Sequence, residues 1–581
     1  MKTIRLSEYG VMPNTDVTLA LKDVFAKHTS DTEFVFEEAD YYFSPQKEMR
    51  EDYRVSNSDV MPYRVLAVWM KQMKNCTLRG NGARLWMSGQ MQVFTLDRCE
   101  NITLDGFTVN WKKPLVAEGK VVARNGLTVD VFVDPERFPH RFTGDNLEFD
   151  VGADEWYAYG KKAIVFEGHS LRARRGVDDV FFESVEAIGE NVYRLTMKKD
   201  CDVHVGDLLN MRHNARIHAG VFSEKCKNIT VSNITFHSCG GLGCLAQFCH
   251  DVTYKGVHFL PDKKAGRLVS SGRDDGMHLT CNSGTVTVTE CTFHALMDDP
   301  INVHGCCVTS DEVVDERTLR CRYRHSQACG FAYWAEKGDE VSFILRDAMN
   351  TVATATVDSY ELEDYEHFLL RFESPLPNEI IEAAKKTDLL ALDNLTHTAA
   401  FVCTRNRFGS CRARGILVST PKAVKICENY FESSGSAILV AGDSNYWFES
   451  GECHDVEIAH NVFTDACLGS YYQFCDGVIS ISPVVPKPRA DLPYHKNIRI
   501  HDNLFDTVGV PVLYAFSCGG LEFTNNRIFK SPSCPSAENR DGAQIRLVSC
   551  VDVTVKDNQW IGGFSQELEP TDQLPNEESG T

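Results

Sequence analysis

No run of 18 or more uncharged apolar residues occurs in this chain, so nothing in it has the composition of a membrane-spanning helix. The first residues, MKTIRLSEYGVMPNTD, lack the apolar core and small-residue cleavage site of a secretory leader. Basic residues are in deficit, 60 Lys and Arg against 81 Asp and Glu, and no local stripe of them offsets a net charge of −21. A phosphate backbone or anionic lipid would be repelled, so neither nucleic acid nor membrane is expected as a partner. Also missing is a CxxC pair matched by a second CxxC or by HxxxH, which removes zinc-site and thioredoxin-type chemistry.

What the chain does have is length and repetition. At 581 residues it exceeds one ordinary hydrophobic core, so it must be divided or built as a repeat. Counted from the first apolar residue of each copy, apolar side chains recur at offsets 0, 2, 5 and 7. The copies are NITLDGFTV from Asn101, NITVSNITF from Asn228, DVTYKGVHF from Asp251, TVTVTECTF from Thr285, AVKICENYF from Ala423, DVEIAHNVF from Asp455, NIRIHDNLF from Asn497, GLEFTNNRI from Gly520 and DVTVKDNQW from Asp552. Each reads as two short strands around a bend, with alternation such as Ile498 and Ile500 burying one face. Asn429, Asn461, Asn503, Asn526 and Asn558 share offset 5, where a left-handed bend residue with a stacking amide is expected. Coils of about 23 residues with loops added on one side give an all-β fold, a right-handed parallel β-helix. Cysteines recur at one repeat position (Cys99, Cys226, Cys249, Cys453, Cys518, Cys550), where reduced thiols would fill the interior. That usage favours a reducing compartment, so the chain as given is expected in the cytoplasm, with export only if a leader had been removed.

The repeat breaks twice, giving way to short alternating strands, and both breaks carry a Gly-Asp before an apolar strand (VGDLLNM at Val205, KGDEVSF at Lys337). The expected organisation is therefore residues 1–112, β-helix opened by a capping helix; 113–216, a first inserted antiparallel β-barrel; 217–304, β-helix; 305–399, a second barrel; 400–566, β-helix; and 567–581, an acidic, disordered tail. The cap is read from Leu19, Leu21, Val24 and Phe25 on one face after Asp16.

The densest carboxylate constellation is SGRDDGMHL (Ser271–Leu279) with LMDDPINVHG (Leu296–Gly305). Asp275 precedes Asp298 by 23 residues, one coil, so the pairs Asp274, Asp275 and Asp298, Asp299 should stack about 4.8 Å apart. Like charges that close raise at least one carboxyl, and a protonated carboxyl beside ionised ones is equipment for hydrolysing a glycosidic bond. The bland alternative is that such pairs cap turns or bind calcium. His278 and His304 follow the two pairs at similar offsets, and the second insertion begins after His304, where it could wall a cleft.

With SNYWFESGEC (Ser444–Cys453) downstream, the RDDGMH and MDDPINVHG motifs in this order resemble glycoside hydrolase family 110, the α-1,3-galactosidases acting on blood-group-B-type and linear α-1,3-galactosyl glycans. The resemblance implies an inverting exo-hydrolase that needs no metal and no cofactor, with a galactosylated oligosaccharide or glycoconjugate as partner. It further implies, through likeness to the polygalacturonases, Asp298 as general acid and Asp275 and Asp299 as the pair holding the attacking water. Inversion calls for acid and base roughly 6.5–9.5 Å apart, more than the coil rise. Asp274 reads as a turn-capping carboxylate or a sugar contact. Trp447 and Glu449 are candidate galactose contacts, with Arg273, His278, His304, Arg412 and Arg414 behind them, since sugar faces stack on rings and hydroxyls need paired donors and acceptors. Tyr333 and Trp334 either reach the cleft or fill the second barrel. Competing readings are a calcium-dependent polysaccharide lyase, with Arg273 as base, and a non-catalytic carbohydrate-binding solenoid. Large lateral faces lead to the expectation of a homodimer.

Overall fold

The computed structural model describes residues 1–581 apart from 175, 214, 387, 434, 465–475, 490, 508–510, 532–543, 563–567 and 572–581. β-Branched and aromatic residues at period two form strands that pair in parallel, coil upon coil. In one rung Ile229, Val231, Ile234 and Phe236 lie beside Val252, Tyr254, Val257 and Phe259. Each coil adds a strand on either side of its bend to one sheet, as in Val424–Cys427 and Tyr430–Phe431, and a third strand, such as Ile438–Val440, to a second sheet. The parallel β-helix is thereby established, with one continuous apolar core inside it.

Two side-chain ladders hold the coils in register. Phe236, Phe259, Phe293, Phe408, Phe431, Phe463 and Phe505 stack along the interior with ring centroids 4.5–5.8 Å apart. At the bend, the backbone N–H of Asn429 donates to Oδ1 of Asn461, Asn461 to Asn503, Asn503 to Asn526 and Asn526 to Asn558, at 2.9–3.0 Å. The ladder asparagines are not the left-handed residues, contrary to expectation. Positive φ falls on the residue before each, Glu428, His460, Asp502, Asn525 and Asp557. Burying the amide to satisfy two coils turns the preceding backbone outward, and that solvent-side residue takes the αL strain. A second, outer ladder does use left-handed asparagines: Nδ2 of Asn228 donates to Asn101, and Asn101 to Asn75.

Helix occurs as Thr18–Lys27 and Asn378–Ala384. The first caps the coil end with Leu21, Val24 and Phe25, and Phe25 packs edge-on to Phe34. Leu19 does not share that face and is exposed, because it lies about 200° round the helix from Leu21; Thr18 is buried in its place. Leu568–Thr571 is a strand parallel to Ile545–Val548, which corrects the expectation of disorder there. The rest of the 567–581 expectation lies outside the described residues.

Both breaks in the repeat are closed six-stranded barrels. The first runs from Val116–Asn125 to Leu208–Arg212, and the second from Val308–Asp315 to Leu390–Asn394. Each has its own apolar core. Trp334 is one of the buried side chains of the second, donating Nε1–H to the Cys306 carbonyl, and Tyr333 lies under Lys225. Both belong to packing rather than to the cleft. All 19 cysteines among the described residues are free thiols, most of them inside the core.

Replacing Asn461 by Ala leaves the Asn429 N–H unpartnered in the interior and takes the side-chain donor from the Ile426 carbonyl. The substitution is expected to cost about 2–4 kcal/mol, read as a fall in the urea unfolding midpoint; an unmoved midpoint would show that the ladder contributes nothing to stability.

Candidate active site

Parallel pairing places the two aspartate motifs on neighbouring coils. The Gly276 N–H donates to the Asp299 carbonyl at 3.0 Å, and strand Met277–Thr280 runs beside Ile301–Cys306. The next coil contributes Arg412 and Arg414, with the Arg412 N–H on the Leu296 carbonyl. The chain leaving the first barrel adds Arg212 and Arg216, two residues for which the sequence offered no repeat register. Their sole signal was a basic cluster, RHNARIH, where the repeat resumes.

Within this patch the aspartates differ sharply. Asp274 is sealed in, ion-paired with Arg273 at 2.7 Å and Arg216 at 3.0 Å; burial would raise its carboxyl, but Arg216, Arg273 and Arg212 hold it far below the usual range. It is the counter-ion that fixes Arg216. The same Nη2 of Arg216 reaches Oδ2 of Asp298 at 3.1 Å, and Arg412 lies 3.5 Å from Oδ1. Against the penalty of burial, Arg412, Arg216, Arg212 and Arg414 keep Asp298 below the ordinary carboxylate value. Asp299 takes the fork of Arg414 at 2.6–3.0 Å and its backbone N–H at 2.9 Å; burial still raises its carboxyl against that pull. Asp275 faces His278 Nδ1 at 2.8 Å instead of a guanidinium. Burial first, then the charge on Asp298, push it well above the usual value. Asp275 is thus the carboxyl raised most and Asp298 is lowered, the reverse of what an acid at Asp298 would require.

Exposure sorts them as well: the Asp298 side chain is 20% open, those of Asp274, Asp275 and Asp299 are 1–5%. Asp298 is thus the most accessible carboxyl of the four. Arg412 is clamped between Asp298 and the first barrel's Asp178 and Asp179. Asp179 also pairs with Lys162, so the barrel completes the charge balance.

His278 and His304 lie behind the aspartates. His278 is wholly buried and its imidazole is held well below the usual value by burial, His304 and Arg216. Its Nε2 is 2.9 Å from Nε2 of His304, whose Nδ1 lies 2.6 Å from the Gly305 carbonyl. Glu449 arrives because Glu449–Ser450 adds antiparallel to the end of Ile301–Cys306. Its Oε1 is 3.6 Å from His304 Nε2, and Asn302 donates to Oε2 at 3.2 Å. His278, His304 and Glu449 bring donor atoms within 4.8 Å of one another, near enough to surround a cation, but the hydrogen bonds just described already account for that convergence.

Trp447 stands at the rim. The Asp443 carboxylate gathers the N–H groups of Asn445, Tyr446 and Trp447, and this turn presents the indole, 43% exposed, against His325 of the second barrel at 4.8 Å. The structure thus brings Asp274, Asp275, Asp298, Asp299, Arg273, Arg412, His278, His304 and Glu449 into one cluster, with Trp447 at its edge.

An acid whose folded-state pKa is raised loses stability as pH climbs from its unfolded value to its folded one. Asp275→Asn removes that loss. It is expected to unfold a few degrees above the wild type at pH 8, with the margin shrinking toward pH 4, where both side chains are neutral; thermal melts at the two pH values check this.

Residues 318–388 match the family model of the GLAA-B β-barrel domain II. The chain is 36% identical over 577 residues to α-1,3-galactosidase B of Bacteroides thetaiotaomicron, covering 97% of this chain and 91% of that one. With an α-1,3-galactosidase B of Phocaeicola vulgatus it shares 30% identity over 550 residues, 91% and 92% of the two chains. Among solved structures it overlays the Streptococcus pneumoniae surface adhesin PfbA with a TM-score of 0.43 at 10% identity, over 98% of this chain and 91% of that one. By its relatives, this chain belongs to the α-1,3-galactosidase family of glycoside hydrolases.

Proposed function

We propose that the protein is an exo-acting α-1,3-galactosidase that inverts configuration, releasing terminal galactose from linear Galα1-3Gal, from branched B-type glycans, or from both. The observation that carries this reading is the asymmetric trio Asp275, Asp298 and Asp299, on stacked coils between two barrels, in a chain 36% identical to a named α-1,3-galactosidase. Asp298, the most open of the three, protonates the leaving oxygen, and Asp275 with Asp299 holds and deprotonates the water on the opposite face. A sugar seated over Asp298 strips the water that solvates its carboxylate, which raises its proton affinity. The proton then belongs on Asp298 and the base pair is ionised. Trp447 offers a face for galactose to stack on.

The lyase reading has less support. Arg273 is committed to Asp274 at 2.7 Å, and Asp274, Asp298 and Asp299 already carry guanidinium counter-ions where calcium would need their charge.

Proton NMR of the anomeric signal of first-formed galactose, with chelator present, tests the proposal. Early β-galactose from Galα1-3Gal or the B trisaccharide is expected; early α-galactose overturns inversion, and a strict calcium requirement revives the lyase. Asp298→Asn should lower turnover of the disaccharide by about 10²–10⁴ while sparing much of the rate on an activated aryl galactoside, which needs little protonation. Equal losses on both substrates would remove Asp298 from the acid role.

A further inference from the structure

We propose that Asp59, on the loop between strands Arg50–Glu51 and Arg64–Lys71, is a positioning residue for Arg216 and, through it, for Asp298; this rests on the hydrolase reading above. Nη2 of Arg216 lies 3.0 Å from Asp274 Oδ1 and donates to Asp298 Oδ2 at 3.1 Å, so one nitrogen has to stay on both carboxylates. That requires a fixed backbone beneath it. Arg216, however, lies between strands Leu208–Arg212 and Val221–Glu224, on the segment that returns from the first barrel, where coil pairing does not hold it.

Asp59 supplies the anchor from outside the repeat. Its Oδ2 accepts the backbone N–H of Arg216 at 3.1 Å, and its own N–H donates to the Arg216 carbonyl at 2.7 Å, so one residue holds both backbone polar groups of the arginine. Asn57 on the same loop takes the other end of the guanidinium, with Nη1 donating to its Oδ1 at 3.3 Å and its carbonyl at 3.4 Å. The loop is itself held by the buried Arg64, which donates to the Asp59 carbonyl at 2.9 Å and to the Ile217 carbonyl at 2.6 Å.

The same carboxylate reaches the second barrel. Oδ1 of Asp59 accepts from Gln327 Nε2 at 3.1 Å, and the Asn57 N–H donates to the Gln327 carbonyl at 2.8 Å. Gln327 follows closely on His325, whose ring rests against Trp447 at 4.8 Å. Asp59 therefore sets the arginine at the acid and the aromatic rim in one frame, across segments that share no coil. The chemistry needs that frame. As Asp298 gives up its proton it gains negative charge, and Arg216 meets that charge without reorganisation only while Nη2 stays on Oδ2. A departing sugar hydroxyl depends on the proton, whereas an activated phenolate leaves with little help.

The test measures kcat/KM on Galα1-3Gal and on an activated aryl α-galactoside for wild type, Asp59→Ala, Asp59→Asn, Asp298→Asn and the double variant Asp59→Ala with Asp298→Asn, each checked for folding by thermal melt. Asp59→Ala is expected to lose about 10–10²-fold on the disaccharide and under about threefold on the aryl galactoside, the cost of a misplaced acid. Asp59→Asn should stay within about threefold of wild type on both, because its Oδ1 still accepts the Arg216 N–H and its Nδ2 donates to Gln327 once that amide turns over. In the Asp298→Asn background, Asp59→Ala should cost less than about threefold more, since both changes act on one group. If Asp59→Ala does not fold, Gln327→Ala, which takes one donor from the carboxylate, carries the same comparison, with a smaller loss again confined to the disaccharide. Equal losses on both substrates, or the full loss repeated in the double variant, would leave Asp59 a folding residue only. An Asp59→Asn as damaged as Asp59→Ala would make its charge, not its hydrogen bonds, the operative feature; any of these overturns the positioning role. A wild type that releases no galactose from either substrate overturns the hydrolase reading itself.

Discussion

Four aspartates stacked on two adjacent coils can stay buried only if cations close over them. Two unit charges about 5 Å apart repel by roughly 3 kcal/mol even at an effective dielectric of 20, and coil stacking imposes several such pairs at once. The guanidinium groups come from several directions: Arg273 from the same coil, Arg412 and Arg414 from the next one, Arg212 and Arg216 from the chain leaving the first barrel. Asp274, Asp298 and Asp299 are met by guanidinium groups, whereas Asp275 meets His278 instead and its carboxyl is pushed well above the usual value. The functional asymmetry of the site follows from that one difference.

The barrels consequently do more than wall a cleft. Asp178 and Asp179 of the first grip the far side of Arg412, so the guanidinium that lowers Asp298 is itself oriented by an inserted domain. The second barrel places His325 against Trp447 and Asp393 behind His304. Removing the first insertion would strip the aspartates of partners that no coil supplies, and removing the second would strip Trp447 and His304 of theirs.

What could be read from the residues was whatever recurs. Offsets 0, 2, 5 and 7 reported side chains that point inward, and the one-coil spacing from Asp275 to Asp298 translated directly into neighbouring strands, because parallel pairing converts sequence period into distance. Leu19 and the left-handed bend residues escaped for opposite reasons: a helix face is set by a 100° step that a short apolar list blurs, and an Asn can serve either as bend or as buried ladder. The placement of His278 was hidden because its spacing from Asp275 says that they meet but not which of them faces solvent. Arg216 was invisible in a stronger sense, since its position depends on how the first barrel returns to the helix, and no period covers that junction.

The order of exposure ties these strands of argument together. An inverting hydrolase must deliver a proton to a leaving group that departs toward solvent and remove one from a water held beneath the sugar. On the proposed reading the outward carboxyl, Asp298, is recharged directly by bulk water once product leaves, and its arginines pull it back below the ordinary carboxylate value. Asp275 has no such access: the sugar would cover one side and buried polypeptide the other.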